Sequence, residues 1–232
     1  MTTSPFLGEL MGTLVLILLG NGVVANVLLK ETKGHASGWI VITSGWAFAV
    51  TMGIFVSNAF GSPAAHLNPA VTVAMAIAQN NYADVLPFIT AQMLGAMLGA
   101  ILVWLHHLPH WAKTDDPSAK LACFCNSPAI ANTSANLISE VIGTMVLLIG
   151  IKGIGVVSTG LGPYAVGILV WAIGLSLGGT TGYAINPARD LAPRIVHALL
   201  PIPGKGSNQW HYAWIPVAGP LIAAVLAGLF LM

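Results

Sequence analysis

Six stretches of this chain run for about 20 residues almost without charge, the length a helix needs to cross the hydrocarbon of a bilayer. They read approximately as Phe6–Leu29, Trp39–Phe60, Leu86–Leu105, Leu137–Val157, Pro163–Leu177 and Tyr212–Met232. The fifth is short and can borrow Gly178 and Gly179. The runs lack strand alternation and are too long for barrel strands, so the spans are helices with internally satisfied backbones. Composition agrees: 56% of the 232 residues are hydrophobic and only 6% charged. A soluble domain carries about 25% charged residues. The chain is therefore read as an all-α, multi-pass protein of the cell membrane, with the lipid bilayer as its surroundings.

Formal net charge is +1, which offers no basic field for nucleic acid. Cys123 and Cys125 lie too close in sequence to suggest a disulfide framework and are read as loop residues. The first run follows a start without basic residues and contains Glu9, so it reads as a retained span rather than a cleaved leader. The chain ends at Met232 within the sixth run, so no regulatory tail is expected.

Two further apolar stretches, Asn68–Ala78 and Pro187–Leu200, are too short to span. Such lengths suggest buried or re-entrant segments. Glycine-rich approaches precede both, Gly61-Ser62-Pro63 and Gly178-Gly179-Thr180-Thr181-Gly182. The chain also repeats itself. Glu9-Leu10-Met11-Gly12-Thr13 resembles Glu140-Val141-Ile142-Gly143-Thr144, and Asn68-Pro69-Ala70 returns 118 residues later as Asn186-Pro187-Ala188. Each half reads span, span, re-entrant segment, span. An odd number of crossings forces the second half to enter from the opposite face, which makes an inverted repeat. The expected halves are 1–108 and 135–232, joined by a polar linker over 109–134.

Asparagine is a strong N-cap and proline suits the first helical position, so Asn68 and Asn186 should each open a half-helix. Inversion would bring the two N-termini together near the midplane, each with roughly half a positive charge. Ends facing one lumen would repel cations. Each carboxamide nitrogen should remain free to donate into that lumen once its oxygen caps the helix. One copy of Asn-Pro-Ala would be an ordinary helix start; two copies at matching places mark a midplane site.

The segments Ala65-His66-Leu67-Asn68-Pro69-Ala70-Val71-Thr72 and Gly182-Tyr183-Ala184-Ile185-Asn186-Pro187-Ala188-Arg189-Asp190 resemble the motifs of the major intrinsic protein family, the aquaporins and aquaglyceroporins. The resemblance covers essentially the whole chain and is nearest to the bacterial glycerol uptake facilitators. It implies six transmembrane helices, two re-entrant half-helices and a homotetramer. It also implies a narrow filter of Trp46, Gly174, Tyr183 and Arg189. Trp46 matches the branch's tryptophan when two extra residues are allowed in the Gly61–Ala65 approach. Water-selective members carry histidine where Gly174 stands. Tyr183 replaces the phenylalanine of familiar glycerol facilitators, and its hydroxyl either faces a partner outside the lumen or narrows it. Asp190 after Arg189 is typical of the glycerol branch. The resemblance further implies that Glu9 and Glu140 support the re-entrant loops, and His66 is expected to bond across its loop.

Glycerol has a carbon edge and a hydroxyl edge. Trp46 and Tyr183 can form an apolar corner, Arg189 can donate two bonds in fixed geometry, and Gly174 leaves room. Carbonyls from Ala64 to Leu67 and from Gly182 to Ile185 would accept hydroxyl protons. The expected function is passive diffusion of glycerol and related small neutral polyols, with water also permeating. Lactic acid, dihydroxyacetone, urea and hydrogen peroxide remain open as permeants. A coupled secondary transporter is the alternative, since broken helices in inverted repeats build those too. An intramembrane enzyme would need a nucleophile and base that the sequence does not offer, and neither metal nor cofactor is expected. His106, His107 and His110 read with Trp104 and Trp111 as an interfacial cluster. The resemblance puts both termini in the cytoplasm. Lys30, Lys33, Lys113, Lys120 and Lys205 then fall outside and Lys152 inside, against the positive-inside tendency.

Overall fold

The computed structural model describes residues 3–157 and 160–230, and every regular element among them is helical. The order is α1 (Pro5–Leu28), α2 (Trp39–Ala59), α3 (Pro69–Gln79), α4 (Val85–His106), α5 (Leu108–Lys113), α6 (Pro117–Ala122), α7 (Thr133–Val157), α8 (Gly162–Leu177), α9 (Pro187–Leu199) and α10 (Ile215–Phe230). Among the described residues, α1, α2, α4 and α7 are long and apolar enough to cross a membrane. Helices α8 and α10 have 16 residues each, about 24 Å at 1.5 Å per residue. The sixth run starts later than the hydropathy suggested, because Tyr212–Trp214 form turns before the helix opens at Ile215. Its last two residues lie outside the described ones.

Local chemistry sets the helix starts. The Ser4 hydroxyl accepts from Leu7 N at 3.2 Å ahead of Pro5. Gly38 turns the chain into α2 at φ 95°, a left-handed value. Large apolar side chains such as Ile40, Phe48, Leu86, Ile168 and Phe230 point outward, as lipid permits. The interior faces are small. A Cβ on Gly99 would stand 2.6 Å from the Leu14 carbonyl oxygen, so α1 and α4 touch backbone to backbone there.

Helix α1 lies between α2 and α4, and α7 lies between α8 and α10. The half-helices cross over: α3 packs on α10, and α9 packs on α4.

The linker departs from the sequence reading. Trp111, Leu121, Cys123, Phe124 and Cys125 are buried in the core rather than lying in a polar hinge or at the interface. Trp111 donates its indole N–H to Trp104 O at 3.0 Å and stacks toward Phe124, which in turn meets His197 at a ring separation of 5.2 Å. Asn21 of α1 donates to Phe124 O, fastening the linker from the other side. Burial pushes both thiols up from their ordinary range. Lys120 is also buried and donates to Pro203 O, while the Lys205 ammonium caps α9 through the carbonyls of His197, Ala198 and Leu200 at 2.7–2.8 Å.

Candidate functional site

The two half-helices begin as their sequences dictate. Asn68 is extended at φ −157° and its Oδ1 accepts from Ala70 N at 2.9 Å. Asn186 is extended at φ −154° and its Oδ1 accepts from Ala188 N and Arg189 N at 3.0 and 3.2 Å. Pro69 and Pro187 occupy the first helical positions, and Ala70 and Ala188 follow, buried. The carboxamide nitrogens then cross. Asn68 Nδ2 donates to Ile185 O and Asn186 Nδ2 donates to Leu67 O, both at 2.8 Å. The helix tips therefore meet, but each nitrogen has one hydrogen engaged by the opposite approach, and only the other is left for a solute.

The residues before each asparagine adopt an unusual backbone. Ala65 and Leu67 have φ of 43° and 52°; Tyr183 and Ile185, at the matching offsets, have 42° and 44°. Left-handed backbone in residues with a Cβ costs about 1–3 kcal/mol each and persists where the surroundings over-determine it. Here buried carboxylates do so. Glu9 Oε1 accepts from Ser62 Oγ and His66 N, and Oε2 accepts from Leu67 N and Gln92 Nε2, all within 2.9 Å. Glu140 Oε1 accepts from Thr181 Oγ1 and Ala184 N at 2.6 and 3.0 Å, and Oε2 from Ile185 N at 2.9 Å. The His66 ring bonds Thr72 Oγ1 at 3.2 Å and packs edge-on to Phe88.

Beyond the paired tips the structure gathers the four residues read as a constriction. The Arg189 guanidinium carbon sits 4.3 Å above the centre of the Trp46 ring. Trp46, Tyr183 and Arg189 are 4–7% exposed and line one cavity. Gly174 does not simply leave empty space: a Cβ there would fall 2.9 Å from Tyr183 Cζ and 3.0 Å from its Oη. The tyrosine ring fills the place a side chain would take. Among the described residues, Tyr183 Oη and Arg189 Nη1 are buried without a hydrogen-bond partner. Asp190 faces away from the tips. Its Oδ2 accepts from Asn126 N at 2.7 Å, and Oδ1 accepts from Arg194 Nε and Nη2 at 3.0 and 2.8 Å, an ion pair with no exposure.

The cavity has a volume of about 670 Å³. From the Trp46–Arg189 end it passes Asn68 and Asn186 and follows one stripe of α3, through Val71, Thr72 and Met75, to Gln79. The stripe repeats every three to four residues, as one helix face does. Leu147, Ile151, Val166 and Val170 supply an apolar wall. A passage of this kind offers hydrogen bonds on one side and hydrocarbon on the other. Two positive helix ends and one guanidinium stand along it, the exposed Asp84 lines it as well, and the carboxylates behind the approaches are fully buried. Among the described residues, no group of three or more His, Cys, Asp or Glu is placed to hold a metal ion.

Several supports were not singled out from sequence. Gln92 holds Glu9 and Thr72 together. Asn126 donates from Nδ2 to Thr181 O, and Arg194 clamps Asn126 O and Asn208 O. Trp39 donates to Gly174 O. A lone glutamine within an apolar span and the i, i+4 spacing of Asp190 and Arg194 were available signals; Asn126 and Trp39 act across long sequence distances and left none.

Comparison with known proteins agrees with this architecture. A family model described as major intrinsic protein matches residues 2–231. The chain is 57% identical over 226 residues to a probable glycerol uptake facilitator protein of Thermotoga maritima, covering 96% of each. It is 53% identical to the glycerol uptake facilitator protein of Bacillus subtilis, covering 98% of this chain and 83% of that one. Among solved structures, the aquaglyceroporin of Plasmodium falciparum superimposes with a TM-score of 0.82 at 28% identity, covering 97% of this chain and 93% of that one. With its tips, approaches and cavity so arranged, this all-helical membrane chain belongs to the major intrinsic protein family.

Proposed function

We propose that the protein is a passive channel for glycerol and related small neutral solutes, with water also passing. The observation that carries this reading is the cavity itself: one wall of hydrogen-bonding groups around Asn68 and Asn186, one wall of hydrocarbon, and a close constriction at Trp46, Tyr183 and Arg189. Relatives named glycerol uptake facilitators support it.

In this reading Trp46 and Tyr183 receive the carbon edge of a polyol and Arg189 donates to its hydroxyls. Gly174 acts by seating the tyrosine. Asn68 and Asn186, started by Pro69-Ala70 and Pro187-Ala188, donate to the solute at mid-membrane. A solute is never stripped of every hydrogen bond, which would cost about 4–8 kcal/mol per hydroxyl in hydrocarbon. Cations meet two positive helix ends. Glu9, Glu140, His66 and Asp190 hold the loops and α9 and take no part in coupling, since their oxygens and ring nitrogen are engaged by neighbours. The halves 1–108 and 135–232 form an inverted repeat, and four copies assemble into a homotetramer.

The test is flux into proteoliposomes under an outward-directed osmotic challenge. Rapid glycerol entry, with a low activation energy and no dependence on proton or sodium gradients, is the expected result. Folded protein that passes no glycerol, or that accumulates it against a gradient, refutes the proposal.

A further inference from the structure

Trp39 begins α2 at the exposed end of the bundle and is 41% exposed, as an interfacial tryptophan would be. Its other edge reaches inward. The indole N–H donates to Gly174 O at 3.1 Å, across 135 residues of sequence. That carbonyl belongs to the last turn of α8, where intrahelical donors run out. The ring also meets Tyr183 edge-on, with centroids 6.0 Å apart and planes at 83°. A Cβ on Gly178 would collide first with Tyr183 Cδ1 and would stand 2.9 Å from Trp39 Cζ2, so the two rings together fill the space that only glycine leaves open.

We propose that Trp39 is a positioning residue that sets the width of the constriction by backing the Tyr183 ring and fixing the Gly174 carbonyl beside it. The inference rests on the channel reading above. Tyr183 has the cavity on one side and Trp39 on another. Its hydroxyl makes no hydrogen bond that would anchor it, so the ring is held by packing alone. With Trp39 in place the ring cannot retreat from Arg189. With the indole removed, it can swing into the vacated notch, and the aperture opens to solutes one carbon longer than glycerol.

Trp39→Ala and Trp39→Phe are to be reconstituted beside the parent protein, and the flux of glycerol, erythritol and water followed in the same vesicles. Trp39→Ala removes both contacts. It should raise the erythritol-to-glycerol flux ratio by about threefold or more, the scale of an aromatic edge contact. Trp39→Phe keeps an aromatic edge but not the donor and should lie between. A structural lesion alone lowers all fluxes together and leaves the ratio where it was. A ratio that stays unchanged or falls in both variants, with helicity and glycerol conduction retained, overturns the proposal. If the parent protein itself fails to conduct glycerol, the channel reading fails instead.

Discussion

Gly174→Ala adds one methyl group at a place where three atoms already stand too near. The new Cβ would lie 2.9 Å from Tyr183 Cζ, 3.0 Å from Tyr183 Oη and 3.0 Å from Thr43 Cγ2. Carbon atoms pack best at about 3.5–4.0 Å, so the tyrosine ring must move by about half an ångström or more. Thr43 is fully buried and Trp39 backs the ring, which leaves the cavity as the direction of escape. The ring then advances on Arg189. Overpacking of this kind costs about 1–3 kcal/mol. Expressed instead as a barrier to a solute that must squeeze past, about 1.4 kcal/mol is a tenfold loss of rate. Glycerol flux in Gly174→Ala should therefore fall by about tenfold, with water, a narrower solute, falling by less than about threefold. Stopped-flow light scattering on proteoliposomes reads both. Tyr183→Phe in the same background removes only the atom at 3.0 Å and leaves Cζ at 2.9 Å, so it should not restore glycerol; Tyr183→Leu should. Undiminished glycerol flux in Gly174→Ala, or full rescue by Tyr183→Phe, refutes the steric argument.

Glu140→Gln leaves one acceptor oxygen for three donors, Thr181 Oγ1, Ala184 N and Ile185 N. At least one buried donor loses its partner at a cost of about 1–3 kcal/mol. A lower thermal midpoint in detergent and reduced flux are the expected readouts. Tyr183→Phe alone deletes a buried hydroxyl without a partner, so it should stabilise the protein by up to about 1 kcal/mol and leave glycerol conduction intact; a loss of stability on denaturant titration would contradict that. Cys123 and Cys125 are buried and their thiols are pushed up, so a maleimide at neutral pH should label neither in the folded protein and both after denaturation. Mass spectrometry counts the adducts.

What the sequence disclosed follows the physics of each signal. Apolar length located the spans, because a bilayer imposes a length on every crossing. Asn68-Pro69 and Asn186-Pro187 announced the half-helix starts, because capping is a local matter of one side chain and the next three backbone groups. Glu9 and Glu140 were legible as a matched pair. The linker was misread because its burial is a tertiary fact. Nothing within Cys123-Phe124-Cys125 reveals that Asn21, Trp111 and His197 will surround it. The lysines read as loop charges are engaged in the fold in ways their spacing did not show. Lys120 and Lys205 donate to backbone carbonyls, and Lys113 stands 3.7 Å from Glu31. The left-handed residues Ala65, Leu67, Tyr183 and Ile185 could not be foreseen, since none is glycine or asparagine. Tertiary hydrogen bonds, not local preference, hold them there.

The exchanged bonds from Asn68 to Ile185 and from Asn186 to Leu67 bear on biogenesis. A nascent chain that has inserted everything up to α4 still lacks the acceptor for Asn68, 117 residues downstream. The early half must wait in the bilayer with that group unmet until the late half has been translated and threaded in beside it. Completion is thus a single closing event shared by both ends of the polypeptide, and a ribosome stalled before Ile185 would leave behind helices without a finished conduit.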